Sequence, residues 1–366
     1  MASLPLPRLW FLAVPWLLCH CSTLSYYGQA TAGQIEIMAG KKPMARLLAD
    51  DQTAPPLKKK LRLILEILDF AEQEMVLPAQ GNYRHYIDLK REHVVWSVFA
   101  APEFSLEAKT WWYPVVGSLS YRGFFAERNA ESEATKLREN GYDAWVAGID
   151  AYSTLGWFRD PVLNTFIDYP ESSLVSLICH ELTHRLLYEP GDTPFNEAFA
   201  VCVEQEAERR WHRLKGKSQS ELADRHRLES RFRTLLRESS RKLERLYEEH
   251  RTENLPADRT RIRKQAILSD MKHNYQKIKE RTHGRFDFDH WFDQPVNNGL
   301  FVSLETYHHL VPGFEALLAE KDGDLPAFYG AVRELASLQK EERHRILENL
   351  AVAHGQTALK MPSSQP

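Results

Sequence analysis

The sequence predicts an α+β fold in which helix predominates, and three stretches carry that expectation. Residues 57–78 repeat apolar side chains at helical spacing. Residues 82–152 are rich in β-branched and aromatic residues interrupted by glycine. The chain beyond Glu204 is charge-dense and nearly free of strand formers.

Taken in order, Leu61, Leu63, Ile64, Ile67 and Leu68 give the first helix one apolar face, and Pro78 stops it. The stretch "NYRHYIDLKREHVVWSVFAAPEFSLEAKTWWYPVVGSLSYRGFF" reads as short strands with turns at Gly117 and Gly123. Residues 131–141 form a helix ended by Gly141, "DAWVAGIDAY" alternates as a strand, and "STLGWFRDP" follows as a turn or edge segment. From 206 to 285, Leu228, Phe232, Leu235, Leu236, Leu243 and Leu246 recur at helical intervals, and "TENLPAD" separates a second charged helix from the first. These make an antiparallel hairpin arm whose charge is a solvated face. Residues 286–338 read as two or three packed helices broken by Pro312 and "KDGDLP", and the end of the chain, with "GQTALKMPSSQP", as a disordered tail over 351–366.

A chain of 366 residues with 43% hydrophobic and 27% charged residues can bury one sizeable core or two small ones. Forty-seven Lys and Arg against fifty Asp and Glu leave a net charge of −3, too little basic field to expect a nucleic acid partner. Near the N-terminus, Arg8 precedes the apolar run "LWFLAVPWLLC", of signal h-region length and too short for a bilayer span. Leu18 stands three residues before Cys21, resembling a bacterial lipobox with His20 where a small residue is usual. Export with lipidation at Cys21, export by simple secretion, and an uncleaved anchor all stay open. Cys179 and Cys202 fall on apolar helical faces and are expected to be buried thiols.

The chemistry concentrates in "CHELTHRLLYEPGDTPFNEAFAVCVEQEAERRW". If residues 172–188 are helical, His180 and His184 leave one face a turn apart, the spacing with which two imidazoles bind one metal ion. Pro170 suits the helix start and "EPGD" its end. A catalytic zinc takes a third protein ligand. Glu197 is the first choice, early in a helix that Thr193 caps and Pro194 opens, with Glu204 in reserve and Glu208 on a similar face. Glu181 would not bind metal but would act as general base. The competing reading makes the histidines ordinary interior or surface residues and Glu197 a helix-dipole partner.

"HELTHRLLY" with "FNEAFAVCVE", "YSTLGWFRDPVLNTFI", "YRGFF", "VVWSVFAAPEF", "YYGQATAGQ", "NNGLF" and "DLPAFY" resembles the bacterial family of predicted aminopeptidases, exported zincin-like proteins. The resemblance implies a gluzincin arrangement with one zinc held by His180, His184 and Glu197 and Glu181 as base. Together with the patterning above, this divides the chain into a signal peptide with a lipobox-like end (1–21), a zincin-like catalytic core (22–205), the charged arm (206–285), a C-terminal helical part packing on the core (286–350) and the tail (351–366).

The expected activity is zinc-dependent hydrolysis of peptide bonds, with removal of N-terminal residues from peptides in the periplasm or cell envelope. An endopeptidase or cell-wall peptide amidase shares the same zinc chemistry, and a non-catalytic envelope lipoprotein binding a partner through the arm is the rival from another class. An aminopeptidase needs a carboxylate for the substrate ammonium, for which Glu103 and Glu171 are candidates. It also needs an oxyanion donor, for which Tyr307 ranks first, ahead of Tyr121, Arg122, Tyr152 and His308. Gly156 would let a substrate backbone approach an edge strand.

Overall fold

The structure, a computed structural model, describes residues 26–113, 117–151, 159–281, 289–292, 294–308 and 310–355. It is a predominantly helical α+β fold. Helices α1 (26–40), α2 (Met44–Ala49) and α3 (Pro55–Gln73) alternate with and lead into short strands β1 (Lys42–Pro43), β2 (His85–Ile87), β3 (Val95–Pro102), β4 (Trp111–Tyr113), β5 (Gly117–Leu119) and β6 (Tyr121–Phe124). Then come α4 (Glu127–Glu139), β7 (Tyr142–Ile149), β8 (Val162–Leu163), α5 (Glu171–Leu186), α6 (Thr193–Leu214), α7 (Gln219–Thr252) and α8 (Ala257–Arg281). After a single 3-10 turn at Asp289–Phe292, helices α9 (Asn298–His308), α10 (Val311–Glu320), α11 (Leu325–Ala336) and α12 (Lys340–Ala353) complete the chain. No helix among the described residues is long and apolar enough to cross a membrane.

The central sheet runs β6-β3-β7, antiparallel throughout, with Val98 paired to Val146 and Phe99 to both Trp145 and Tyr121. Side chains alternate along a strand, and here both faces are covered. Val98, Ala100, Ala144 and Val146 pack with Ala130, Ala134 and Leu137 of α4. Phe99, Ala101 and Trp145 pack with Leu236, Leu243, Leu246 and Met271 of α7 and α8 and with Leu300, Phe301 and Leu304 of α9. Burial on both faces explains why "VWSVFAAP" is almost unbroken in apolar residues.

Gly299 lets α9 reach this sheet, because a Cβ there would stand 2.7 Å from the Trp145 nitrogen and 2.9 Å from the Phe99 oxygen. Asn298 fixes the same junction, its Nδ2 donating to the carbonyls of Pro102, Glu103 and Ser105 while its Oδ1 accepts from Tyr247.

The second and largest core joins α3, α5, α6, α10, α11 and α12 with the small sheet β1-β2-β8. Here several expected boundaries shift. The first helix begins at Pro55, whose fixed φ suits a first turn, and ends at Gln73 rather than Pro78. Between residues 286 and 338 three helices, α9 to α11, fill the part where two or three were expected, with α9 ending just before Pro312, which sits in the first turn of α10; α12 follows beyond it. Helix α1 and the short pairs β1-β2 and β2-β8 had no counterpart in the sequence reading.

Candidate metal centre

Helices α5 and α6 run antiparallel: ascending α5 from His180 to His184, the facing residues on α6 descend from Glu204 to Glu197. Helix α5 starts after Pro170 and buries Leu174, Val175, Ile178 and Leu182, which sets the opposite stripe of His180 and His184 towards Glu204 and Glu197 of α6. Thr193 does not cap α6. The cap is Asp192, whose carboxylate accepts from the Phe195 nitrogen, since Thr193 already lies inside the helix.

The loop between the two helices is held from several sides. Asn196 closes it by accepting from the Glu189 nitrogen and donating to the Glu189 oxygen, both at 2.8 Å. Asp192, only 1% exposed, meets Arg343 at 3.2 Å and His344 at 2.8 Å, both from α12. Arg343 also reaches Glu189 and Lys340 donates to the Gly191 oxygen. Gly117 packs here too, where a Cβ would come within 2.9 Å of the Gly191 backbone; both glycines have positive φ. Glu197 follows Asn196 directly, so this clasp sets the position of its carboxylate.

The result is a compact donor triangle. His180 Nε2 lies 3.2 Å from His184 Nε2 and 3.3 Å from Glu197 Oε2, and His184 Nε2 lies 3.6 Å from the same oxygen. Tetrahedral zinc with its usual ligand distances separates its donors by about 3.3–3.5 Å. The three atoms therefore fit one ion, and this is the one such His/Cys/Asp/Glu group among the described residues.

Glu204 is not the third donor. Its Oε2 sits 2.8 Å from His180 Nδ1, on the far side of the ring from the triangle. Glu208 is turned away and paired with Arg225.

Charge reinforces the arrangement. Burial opposes ionisation of Glu197, but His184 and His180 outweigh it and bring the carboxyl down to about 2. Burial would lower the His180 pKa, and its hydrogen bonds to Glu197 and Glu204 reverse that and raise it. Glu181 moves the other way: burial raises its pKa, only partly offset by the two histidines. Its Oε2 is buried without a hydrogen-bond partner, as is His184 Nδ1.

Other sequence candidates separate clearly. Tyr121 lies in the field of the cluster: burial first, then the charge of Glu197, raise its pKa strongly, so the phenol keeps its proton. Arg122, the next residue on β6, is held elsewhere by Glu133 at 3.0 Å and the Tyr26 ring at 4.3 Å. Glu103 is gripped by both ends of the Arg261 guanidinium, at 2.6 and 2.9 Å. Glu171 accepts from Trp211 Nε1 and pairs with Lys217, about 13 Å along α5 from His180. Neither is free for a substrate ammonium. Tyr152 and Gly156, and the side chains of Tyr307 and His308, lie outside the described residues.

Sequence reasoning missed Tyr188, whose ring centroid is 6.5 Å from that of His184 and whose pKa is pushed up to about 12 by burial and Glu197. Extending the four-residue spacing of the histidines one more step would have found it. Cys179 and Cys202 are buried free thiols.

A model of the family described as "Putative aminopeptidase" matches residues 25–347. No curated protein and no solved structure matches the chain.

Proposed function

The chain belongs to the Putative aminopeptidase family, and from that premise we propose that it is a zinc-dependent hydrolase of peptide bonds that trims residues from a free N-terminus. One observation carries the reading. Three donors from two helices converge at 3.2, 3.3 and 3.6 Å beside a buried carboxylate oxygen that nothing satisfies.

His180, His184 and Glu197 would hold the metal. Two imidazoles and one carboxylate suit zinc, which when bound supplies a Lewis acid and brings the pKa of water near 7. Glu181 takes a proton from the attacking water and passes it to the leaving amine, a role its burial favours because a raised carboxyl pKa makes it a better base. Among the described residues Tyr121 and Tyr188, protonated phenols within the field of Glu197, are candidate donors to the developing oxyanion, beside Tyr307, which the sequence ranked first. The envelope location, with a lipid anchor at Cys21, belongs to the same proposal and rests on the N-terminal apolar run.

One observation favours a second reading, an endopeptidase or cell-wall peptide amidase. Both carboxylates expected to receive the substrate ammonium are already engaged, Glu103 by Arg261 and Glu171 by Trp211 and Lys217. The test is elemental analysis of the purified protein together with hydrolysis of peptides bearing free or acetylated N-termini. About one zinc per chain and cleavage of free peptides only is the expected result. Cleavage of both shifts the reading to the endopeptidase, and absence of zinc and of cleavage contradicts both.

A further inference from the structure

The two imidazoles of the triangle are not supported alike. His184 Nδ1 is buried with no partner, whereas His180 Nδ1 meets the Glu204 carboxylate at 2.8 Å. A carboxylate only accepts, so His180 Nδ1 carries a proton and donates it to Glu204. The two nitrogens of an imidazole face away from each other, and Nε2 of this ring is the one in the triangle. Glu204 therefore selects which nitrogen is offered to a metal and in which direction it points.

The helix geometry makes this economical. Glu204 lies seven residues after Glu197 on α6, nearly two full turns, so both carboxylates leave almost the same face of one helix. One grips the ring from the triangle side and the other from behind. Glu204 is also the more exposed of the two, its side chain 26% accessible against 9% for Glu197, as expected of a support outside the pocket.

We infer that Glu204 is the positioning residue of the metal centre, its carboxylate locking His180 with Nδ1 protonated and Nε2 turned to the ion. The inference rests on the reading of His180, His184 and Glu197 as metal ligands. Carboxylates behind metal-bound histidines typically contribute 10–100-fold to metal affinity. Because His184 has no such support among the described residues, the whole of that effect falls on Glu204.

The experiment measures zinc affinity by chelator competition on the full purified chain and on Glu204→Gln, Glu204→Ala and Glu197→Ala. Long-range ¹H–¹⁵N spectra of the histidine rings report the His180 tautomer, and thermal unfolding of the metal-free forms monitors folding. Glu204→Ala is expected to bind zinc on the order of 10–100-fold more weakly and to lose the single His180 tautomer. Glu204→Gln, whose amide oxygen still accepts from Nδ1, should recover most of both, and it carries the test if the alanine variant folds poorly.

Wild-type affinity and an unchanged tautomer in Glu204→Ala would overturn the inference. So would complete loss of zinc matching Glu197→Ala, which would make Glu204 a ligand. A wild-type chain that binds no zinc overturns the proposed function itself, and this inference with it.

Discussion

Two antiparallel helix pairs dominate the molecule, and they treat charge in opposite ways. In α5 and α6 the charges lie inside: α6 buries 14 of its 22 residues, with Glu197, Glu206 and Glu208 among them. In α7 and α8 they lie mostly outside: α8 buries five of 25 residues, of which Lys264, paired with Asp143, is the one charged side chain, and the facing contacts run from Phe232 with Tyr275 to Glu249 with Arg263. Burying a carboxylate costs several kcal/mol unless a partner compensates it. Each buried acid of α6 has its answer, Glu206 in Arg209 and Arg210, Glu208 in Arg225, and Glu197 in the two histidines. Only Glu197 is matched by groups that also bind metal.

The contrast can be broken most severely at the triangle. Replacing His184 or Glu197 by Ala should abolish metal binding and hydrolysis together, measured as metal content and peptide turnover, because two ligands do not retain a catalytic zinc. Next in size is the clasp behind the site. Arg343→Ala strips the buried Asp192 of its guanidinium partner, leaving His344, the distant Lys340 and the Phe195 N–H, and should lower unfolding stability by about 3 kcal/mol in denaturant titration while weakening metal retention. At the sheet junction, Gly299→Ala forces a Cβ against backbone and should cost about 1–3 kcal/mol by the same assay.

The solvated pair should respond far less. Arg227→Ala removes an ion pair whose side chains are 65% and 63% exposed, and the stability change should stay within about 0.5 kcal/mol. Where α8 meets the sheet, hydrogen bonds from Arg261 hold the Glu103 carboxyl below its usual 4.5 despite partial burial. A depressed carboxyl pKa contributes stability that is present at neutral pH and lost as pH falls through the lowered value. Wild type and Glu103→Gln should therefore differ in thermal unfolding at pH 7 and converge in acid once the pH has fallen below the lowered carboxyl value.

What could be read from the residues follows the same division. Helices α5 and α6 were legible because Pro170 and Pro194 mark their starts and His180, His184 and Glu197 are residue types that metal chemistry requires. Strands β3 and β7 were legible from apolar content. The role of α12 was not, because Arg343 and His344 sit in a charge-rich helix whose partner, Asp192, is some 150 positions away and carries no local sign of being buried. Tyr188 was overlooked although it stands at the end of the expected helix 172–188; α5 itself stops at Leu186, two residues before it. The engagement of Glu103 and Glu171 was invisible for the same reason: whether a surface-looking carboxylate is free depends on long-range pairing with Arg261 and Trp211, not on its neighbours in sequence.

The central claim is that α5 and α6 carry a metal peptidase site in which Glu181 is base and not ligand. Zinc content and peptide turnover, measured side by side on the wild type and on Glu181→Gln, test it most directly. The account predicts about one zinc per chain in both proteins and a rate lower by about 10²–10⁴ in the variant. Equal turnover in the two, or a wild type without zinc, would contradict it.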